Sequence, residues 1–179
     1  MNFEQSQTYK NVKSAFDGET RASTKYRIYA TKAREDGYEQ IGNIFDETAG
    51  NEREHAEIWM KLLHGGEIPS TLENLEDASS GEHYEWETMY RNYADTARKE
   101  GFPHIAELFD GVANIEYNHD RRYDKLIENI ERGTVFCKRE EYVWICLNCG
   151  NLIFGKCAPE ICPVCGYPQG YYQLFCENY

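Results

Sequence analysis

GNEREHAEIW, residues 50–59, sets Glu52 and His55 three positions apart, and NIEYNHDRRY, residues 114–123, repeats the pair as Glu116 and His119. Side chains at i and i+3 share one helical face. The repeat extends outward from this pair. AREDGYEQIGNIFDETAGNEREH (33–55) lies over ARKEGFPHIAELFDGVANIEYNH (97–119) in register or nearly so. Further upstream GETRASTKY (18–26) lies over GEHYEWETMY (81–90) with one residue of slip, so that Glu19 matches Glu82. Residues 5–35 and 38–64 read as helices, the second with Ile41, Ile44, Phe45, Ile58, Trp59, Leu62 and Leu63 at helical spacing. EDGY (35–38) separates these two, and HGGEIPS (64–70) ends the second. A third run is expected from near Ser80 to Gly101, and a fourth from Pro103, suited to a first helical turn, to about Arg132. Two repeated helical hairpins make a four-helix bundle. The joining loop, roughly 66–79, reaches roughly 45–50 Å when extended, enough for one long crossover.

One Glu-x-x-His pair is usually a solvated polar pair. Two symmetric pairs with two more symmetric glutamates match the ferritin-like di-iron pattern, in which two helices give one Glu each and two give Glu-x-x-His. The candidate ligands are therefore Glu19, Glu52, His55, Glu82, Glu116 and His119. Burying four carboxylates without a cation would be prohibitive, and carboxylate with imidazole suits Fe(II) or Mn(II). Glu85 breaks the symmetry: it follows Glu82 by three positions where the first hairpin has Ala22, and is favoured as a seventh ligand. Glu54 and Glu87 sit at other angles and read as solvated. Tyr26 and Tyr90 are repeat partners two turns beyond Glu19 and Glu82; packing explains them as well as a hydrogen bond to a ligand carboxylate does.

The chain has 179 residues and a formal net charge of -12, which disfavours nucleic acid as a partner. No apolar run approaches the roughly 18 residues of a spanning helix, and MNFEQSQTYK has no basic start or apolar stretch of a signal peptide. All seven cysteines lie between Cys137 and Cys176. The acidic excess ends where the cysteines begin, since residues 136–179 carry only four acidic and three basic side chains. Two domains are expected, 1–135 and 136–179. An odd cysteine count argues against a disulfide framework and for metal in a reducing, cytoplasmic setting.

Cys146-x-x-Cys149 and Cys162-x-x-Cys165 form a four-sulfur site for iron or zinc, and the spacing alone leaves a structural zinc ribbon open. Tyr142, Trp144, Phe154, Tyr167 and Phe175 are the expected core around it, and Cys137, Cys157 and Cys176 read as free thiols.

AFDGETRA, NEREHAE, GEHYEWETMY, IEYNHDRRY and CLNCG…CAPEICPVCG, in that order, resemble the rubrerythrins over essentially the whole chain. The resemblance implies a mainly α protein: a ferritin-like four-helix bundle with one long crossover, then a small rubredoxin-like β/knuckle domain. It implies two non-haem irons in the bundle and one iron, not zinc, on the cysteines. It further implies a cytoplasmic, homodimeric peroxidase of an anaerobe or microaerophile that reduces hydrogen peroxide to water and protects against oxidative stress. Reduced rubredoxin or a rubredoxin reductase, and ultimately NADH, would supply electrons. Glu52 and Glu116 would bridge the irons, Glu19 and Glu82 would be terminal, and one iron would take His55 when ferrous and Glu85 when ferric. An iron-oxidising, ferritin-like store is the alternative; it has no need of the cysteine-rich tail. An oxygen-activating oxygenase and a zinc scaffold without catalysis are further competitors.

Overall fold

In a computed structural model, which describes residues 2–178, the chain divides into two compact units between Pro69 and Ser70. The outer limits of the two expected domains, residues 1 and 179, lie outside the described residues. The first unit is a helical hairpin. Ser6 caps α1 (Gln7–Glu35) by accepting from the Tyr9 N–H, and α2 spans Glu39–Leu63. Between them Gly37 takes φ 86°, a left-handed conformation without penalty only for glycine.

The second unit opens with α3, Thr71–Tyr84, nine residues earlier than expected. Ser70 accepts from the Glu73 N–H while the Glu73 side chain accepts from the Ser70 N–H, a reciprocal capping box that starts a helix outright. The connector is therefore 64–70 rather than 66–79. Seven residues reach about 25 Å at most, less than the roughly 38 Å of a 25-residue helix such as α2.

After α3 the helix makes one π turn, Glu85–Met89, closed by Tyr90 N–H donating to the Glu85 carbonyl, and continues as α4 (Tyr90–Lys99). Pro103 then opens α5 (Pro103–Glu131) as expected. A π turn takes in one extra residue, and one extra residue is what the second hairpin carries between its glutamate and its tyrosine. Beyond that turn the two hairpins repeat in geometry. Tyr26–Phe45 and Tyr90–Phe109 ring centroids are both 6.0 Å apart with planes at 36°. Tyr29–Phe45 and Tyr93–Phe109 are both at 5.6 Å. Arg34 pairs with Asp46 as Arg98 pairs with Asp110. Gly101, at φ 85°, turns the chain as Gly37 does.

The C-terminal sheet has order β2-β1-β3, all antiparallel, from β1 (Cys137–Cys146), β2 (Leu152–Cys157) and β3 (Tyr172–Leu174). Its core is Trp144, Cys146, Ala158, Cys162 and Tyr172, with Phe136 and Cys165 against it. The expected core is corrected in part. Trp144 is buried, but Tyr142, Phe154 and Tyr167 are exposed, and Tyr172 takes an inward place. Successive strand residues face opposite sides. Phe154 pairs with Val143, which lies on the face opposite Trp144. A second correction concerns Cys137 and Cys157, which are not free: they form a disulfide. They are direct partners across β1 and β2, with Cα atoms 4.0 Å apart.

Candidate metal centres

Each hairpin gathers three ligands of its own. In the first, α1 supplies Glu19 and α2 supplies Glu52 and His55. His55 Nδ1 lies 3.0 Å from Glu52 Oε2 and 3.8 Å from Glu19 Oε2. In the second, α3 supplies Glu82 and α5 supplies Glu116 and His119. His119 Nδ1 lies 2.7 Å from Glu116 Oε2 and 3.6 Å from Glu82 Oε2. One donor atom from each residue of a trio falls within 4.8 Å of the other two.

The electrostatics of both trios call for a cation. Glu19 is raised above the usual carboxylate range chiefly because it shares a hydrogen bond with Glu52, and desolvation adds to this. Glu82 is raised first by desolvation and then by Glu116. Paired carboxylates hold a proton where no metal neutralises them. Two carboxylates with one imidazole nitrogen suit a divalent iron, so the residues fit the metal.

Glu85 stands outside the trio, half-buried at the start of the π turn, yet near enough for its charge to raise both Glu82 and Tyr90. Tyr26 and Tyr90 pack on the phenylalanine of the facing helix. Desolvation, then the charges of Glu85 and Glu116, push the Tyr90 phenol above its ordinary range.

Asp120 escaped the sequence reading. It is 5% exposed and accepts from Ser79 Oγ at 2.9 Å and Trp86 Nε1 at 2.8 Å, with His83 Nδ1 at 2.9 Å. These hydrogen bonds hold its carboxyl below the usual range against desolvation, and the Asp120 hydrogen bond raises His83. The network ties α3 and the π turn to α5 directly beside Glu82 and His119. Its signal in sequence was one of asymmetry, since the repeat partner of Asp120 is Ala56.

In the C-terminal sheet the four thiols converge. Cys146 and Cys165 sulfurs are 3.7 Å apart, as are those of Cys149 and Cys162. A tetrahedron with metal–sulfur bonds of about 2.3 Å has edges of about 3.8 Å, so the cage already has the size of an iron site. Gly150 N–H donates to the Cys146 carbonyl at 2.8 Å and Gly166 N–H to the Cys162 carbonyl at 2.9 Å. Their φ of 75° and 73° turns each knuckle back on itself. The Tyr172 hydroxyl is buried without a regular partner, but it lies close enough to Cys162 to favour the thiolate, which helps bring that thiol down to about 6. Cys149 is pushed up to about 12: the Asn151 backbone N–H favours its thiolate, but desolvation and the other three sulfurs outweigh it. Four thiols this close do not all ionise until a cation joins them.

Residues 10–127 match the family described as Rubrerythrin, and residues 144–173 match the rubrerythrin, rubredoxin-like domain. The chain is 42% identical over 185 positions to the rubrerythrin of Porphyromonas gingivalis, covering 97% of this chain and 92% of that one. It is 41% identical to Rubrerythrin-1 of Clostridium acetobutylicum, covering 96% of each. It is 38% identical to the rubrerythrin of Nitratidesulfovibrio vulgaris, covering 97% of each. Among the described residues no helix is long and apolar enough to cross a membrane. With its Glu/His trios for a di-iron site and its four-cysteine cage, the chain belongs to the rubrerythrin family of oxidoreductases.

Proposed function

We propose that the protein is a peroxidase that reduces hydrogen peroxide to water and draws its electrons through the four-cysteine site. The observation that carries this reading is one chain holding both the matched carboxylate–histidine trios and a cage of tetrathiolate size. When bound, the paired irons would supply two electrons at once to an O–O bond, and the thiolate-bound iron would pass electrons singly from a donor. The chain's part is to hold and to protonate. Glu52 and Glu116, the most enclosed of the six ligand side chains at 19% and 15% exposure, would bridge. Glu19 and Glu82 would bind terminally, and His55 and His119 would give neutral nitrogen. Glu85, already pressing on Glu82, would be the seventh ligand. Tyr90, whose phenol is pushed above its ordinary range by burial and the charge of Glu85, would be a proton donor for that site.

The functional division would fall between residues 135 and 136, within the segment between the end of α5 and the start of β1. Reduced rubredoxin or a rubredoxin reductase suits the rubredoxin-like cage as electron donor, and the cytoplasm suits its free thiols. The working unit would be a dimer at least. In support, each hairpin keeps large apolar side chains exposed, among them Ile28, Ile44 and Ile58 in the first and Leu108 and Ile115 in the second.

The test is peroxide turnover with reduced rubredoxin as donor, in wild type and in Glu52→Ala/Glu116→Ala. Wild type should consume peroxide and the variant should lose that activity while keeping the red tetrathiolate colour. Equal rates would refute the reading.

A further inference from the structure

We propose that Cys137 and Cys157 are a reversible dithiol–disulfide pair that a hydroperoxide closes, and that closure clamps the four-cysteine site against metal loss. The pair sits at a place where it can act. β1 begins at Cys137 and ends at the metal ligand Cys146, and β2 ends at Cys157. One end of the hairpin is thus held by the metal thiolates and the other by the disulfide.

The ladder between them is broken. Cys137 faces Cys157, but the next pair is Tyr142 with Gly155, five residues on along one strand and two back along the other. Residues 138–141 have no partners in this ladder, so the Cys137–Cys157 pair lies beyond a bulge that cuts it off from the regular pairing. Across the far side there remains the Ala158 N–H donating to the Phe136 carbonyl at 2.8 Å.

Those two neighbours connect the pair to the metal cage. Ala158, 3% exposed, packs with Cys146 and Cys162, and Phe136 packs against the same cluster. Each cysteine of the disulfide is therefore next in sequence to a wall of the cage. Reduction would leave both walls held across a bulge by weak pairing; oxidation fixes them.

The pair is also open to chemistry. Cys157 is exposed and Cys137 half-buried, and an exposed disulfide is the labile kind. Once reduced, the thiolate is the nucleophile.

The reaction balances without metal. The Cys157 thiolate attacks one peroxide oxygen; an S–O bond forms, the O–O bond breaks, and hydroxide leaves and takes a proton to become water. The Cys137 thiolate then displaces hydroxide from the Cys157 sulfur, forming the S–S bond and the second water. Two thiols lose two electrons and one peroxide gains them. A dithiol reductant reverses the change by exchange through a mixed disulfide.

The experiment uses the full-length, iron-loaded protein, reduced with dithiol and then treated with peroxide. Alkylation and mass mapping read the Cys137–Cys157 bond, and the fading of the tetrathiolate colour in excess chelator reads iron release. The bond should form in wild type and equally in Glu52→Ala/Glu116→Ala, which removes the di-iron reaction and so separates this proposal from that one. Release from the disulfide form should be slower by roughly tenfold or more than from the dithiol form, on the usual effect of a cross-link. Cys137→Ser/Cys157→Ser should release at the dithiol rate with or without peroxide, and Cys176→Ser should behave as wild type. The wild-type comparison of the two redox forms needs no variant to fold. Cysteines that stay open to alkylation after peroxide, bond formation confined to the protein with an intact di-iron site, or equal release rates in the two forms would each overturn the proposal.

Discussion

Glu85 and Asp120 stand where the first hairpin has Ala22 and Ala56. Glu85 acts through charge, raising the carboxyl of Glu82 and the phenol of Tyr90. Replacing it with alanine should leave fold and iron content alone and slow peroxide turnover by roughly tenfold or more. Unchanged turnover would remove Glu85 from the working ligands. Asp120 acts by holding. Its buried carboxylate gathers the buried Ser79, the half-buried Trp86 and the exposed His83. Asp120→Ala leaves the Trp86 N–H and the His83 Nδ1 without their partner, while Ser79 keeps Asp124 at 2.9 Å, and costs about 2 kcal/mol. Thermal unfolding should register this as a clear fall in Tm. A Tm equal to wild type would mean that water takes over the network at no cost. The pair illustrates what can be read ahead of a structure. Glu85 was visible because glutamate three positions from a ligand shares its face. Asp120 lay beside His119 but on a different face, so only its packing partners reveal its role.

The helices themselves were legible from periodicity and punctuation, and the repeat carried the six candidate ligands with it. The slip of one residue between Glu19 and Glu82 was also visible, but as a defect of alignment. Its physical form is the π turn at Glu85–Met89, where the extra residue widens one turn and leaves the flanking helix in phase. Deleting Thr88 should therefore give an unbroken α-helix, with Glu82 still in its trio and Tyr90 still on Phe109. Such a variant should match or exceed wild type in Tm and keep its iron, but lose turnover, because the bulge no longer sets the direction of Glu85. A variant that loses its iron would contradict this account of the turn. The early start of α3 was legible in principle, since Ser70-x-x-Glu73 is a capping-box pattern. The Gly65–Gly66 punctuation and the sparse apolar residues of Thr71–Tyr84 concealed it. The disulfide was not legible. It depends on the pairing register of two strands across a bulge, and cysteine spacing does not carry that register.

For the whole molecule, electron supply and chain assembly come together. A seven-residue connector reaches about 25 Å at most, and each hairpin leaves isoleucines and leucines exposed. In the dimer proposed above, one chain's tetrathiolate iron would serve its partner's carboxylate site, and twofold pairing would supply two such routes. Mixing Glu52→Ala/Glu116→Ala with Cys146→Ser/Cys162→Ser should then restore peroxidase activity after subunit exchange. No recovery, with exchange demonstrated and both variants folded, would mean that electrons stay within one chain. Metal content should be three irons per chain, and a value near one would leave only the cysteine cage filled. The most direct measurement is a single turnover. Fully reduced protein, held without oxygen, receives one equivalent of hydrogen peroxide per chain while the carboxylate-bound and thiolate-bound irons are followed separately by absorption and Mössbauer spectroscopy. The account predicts loss of the peroxide, oxidation of the carboxylate-bound pair, and then growth of the red ferric tetrathiolate as that iron refills it. Persistence of the peroxide, or a red site that forms while the pair stays ferrous, would contradict it.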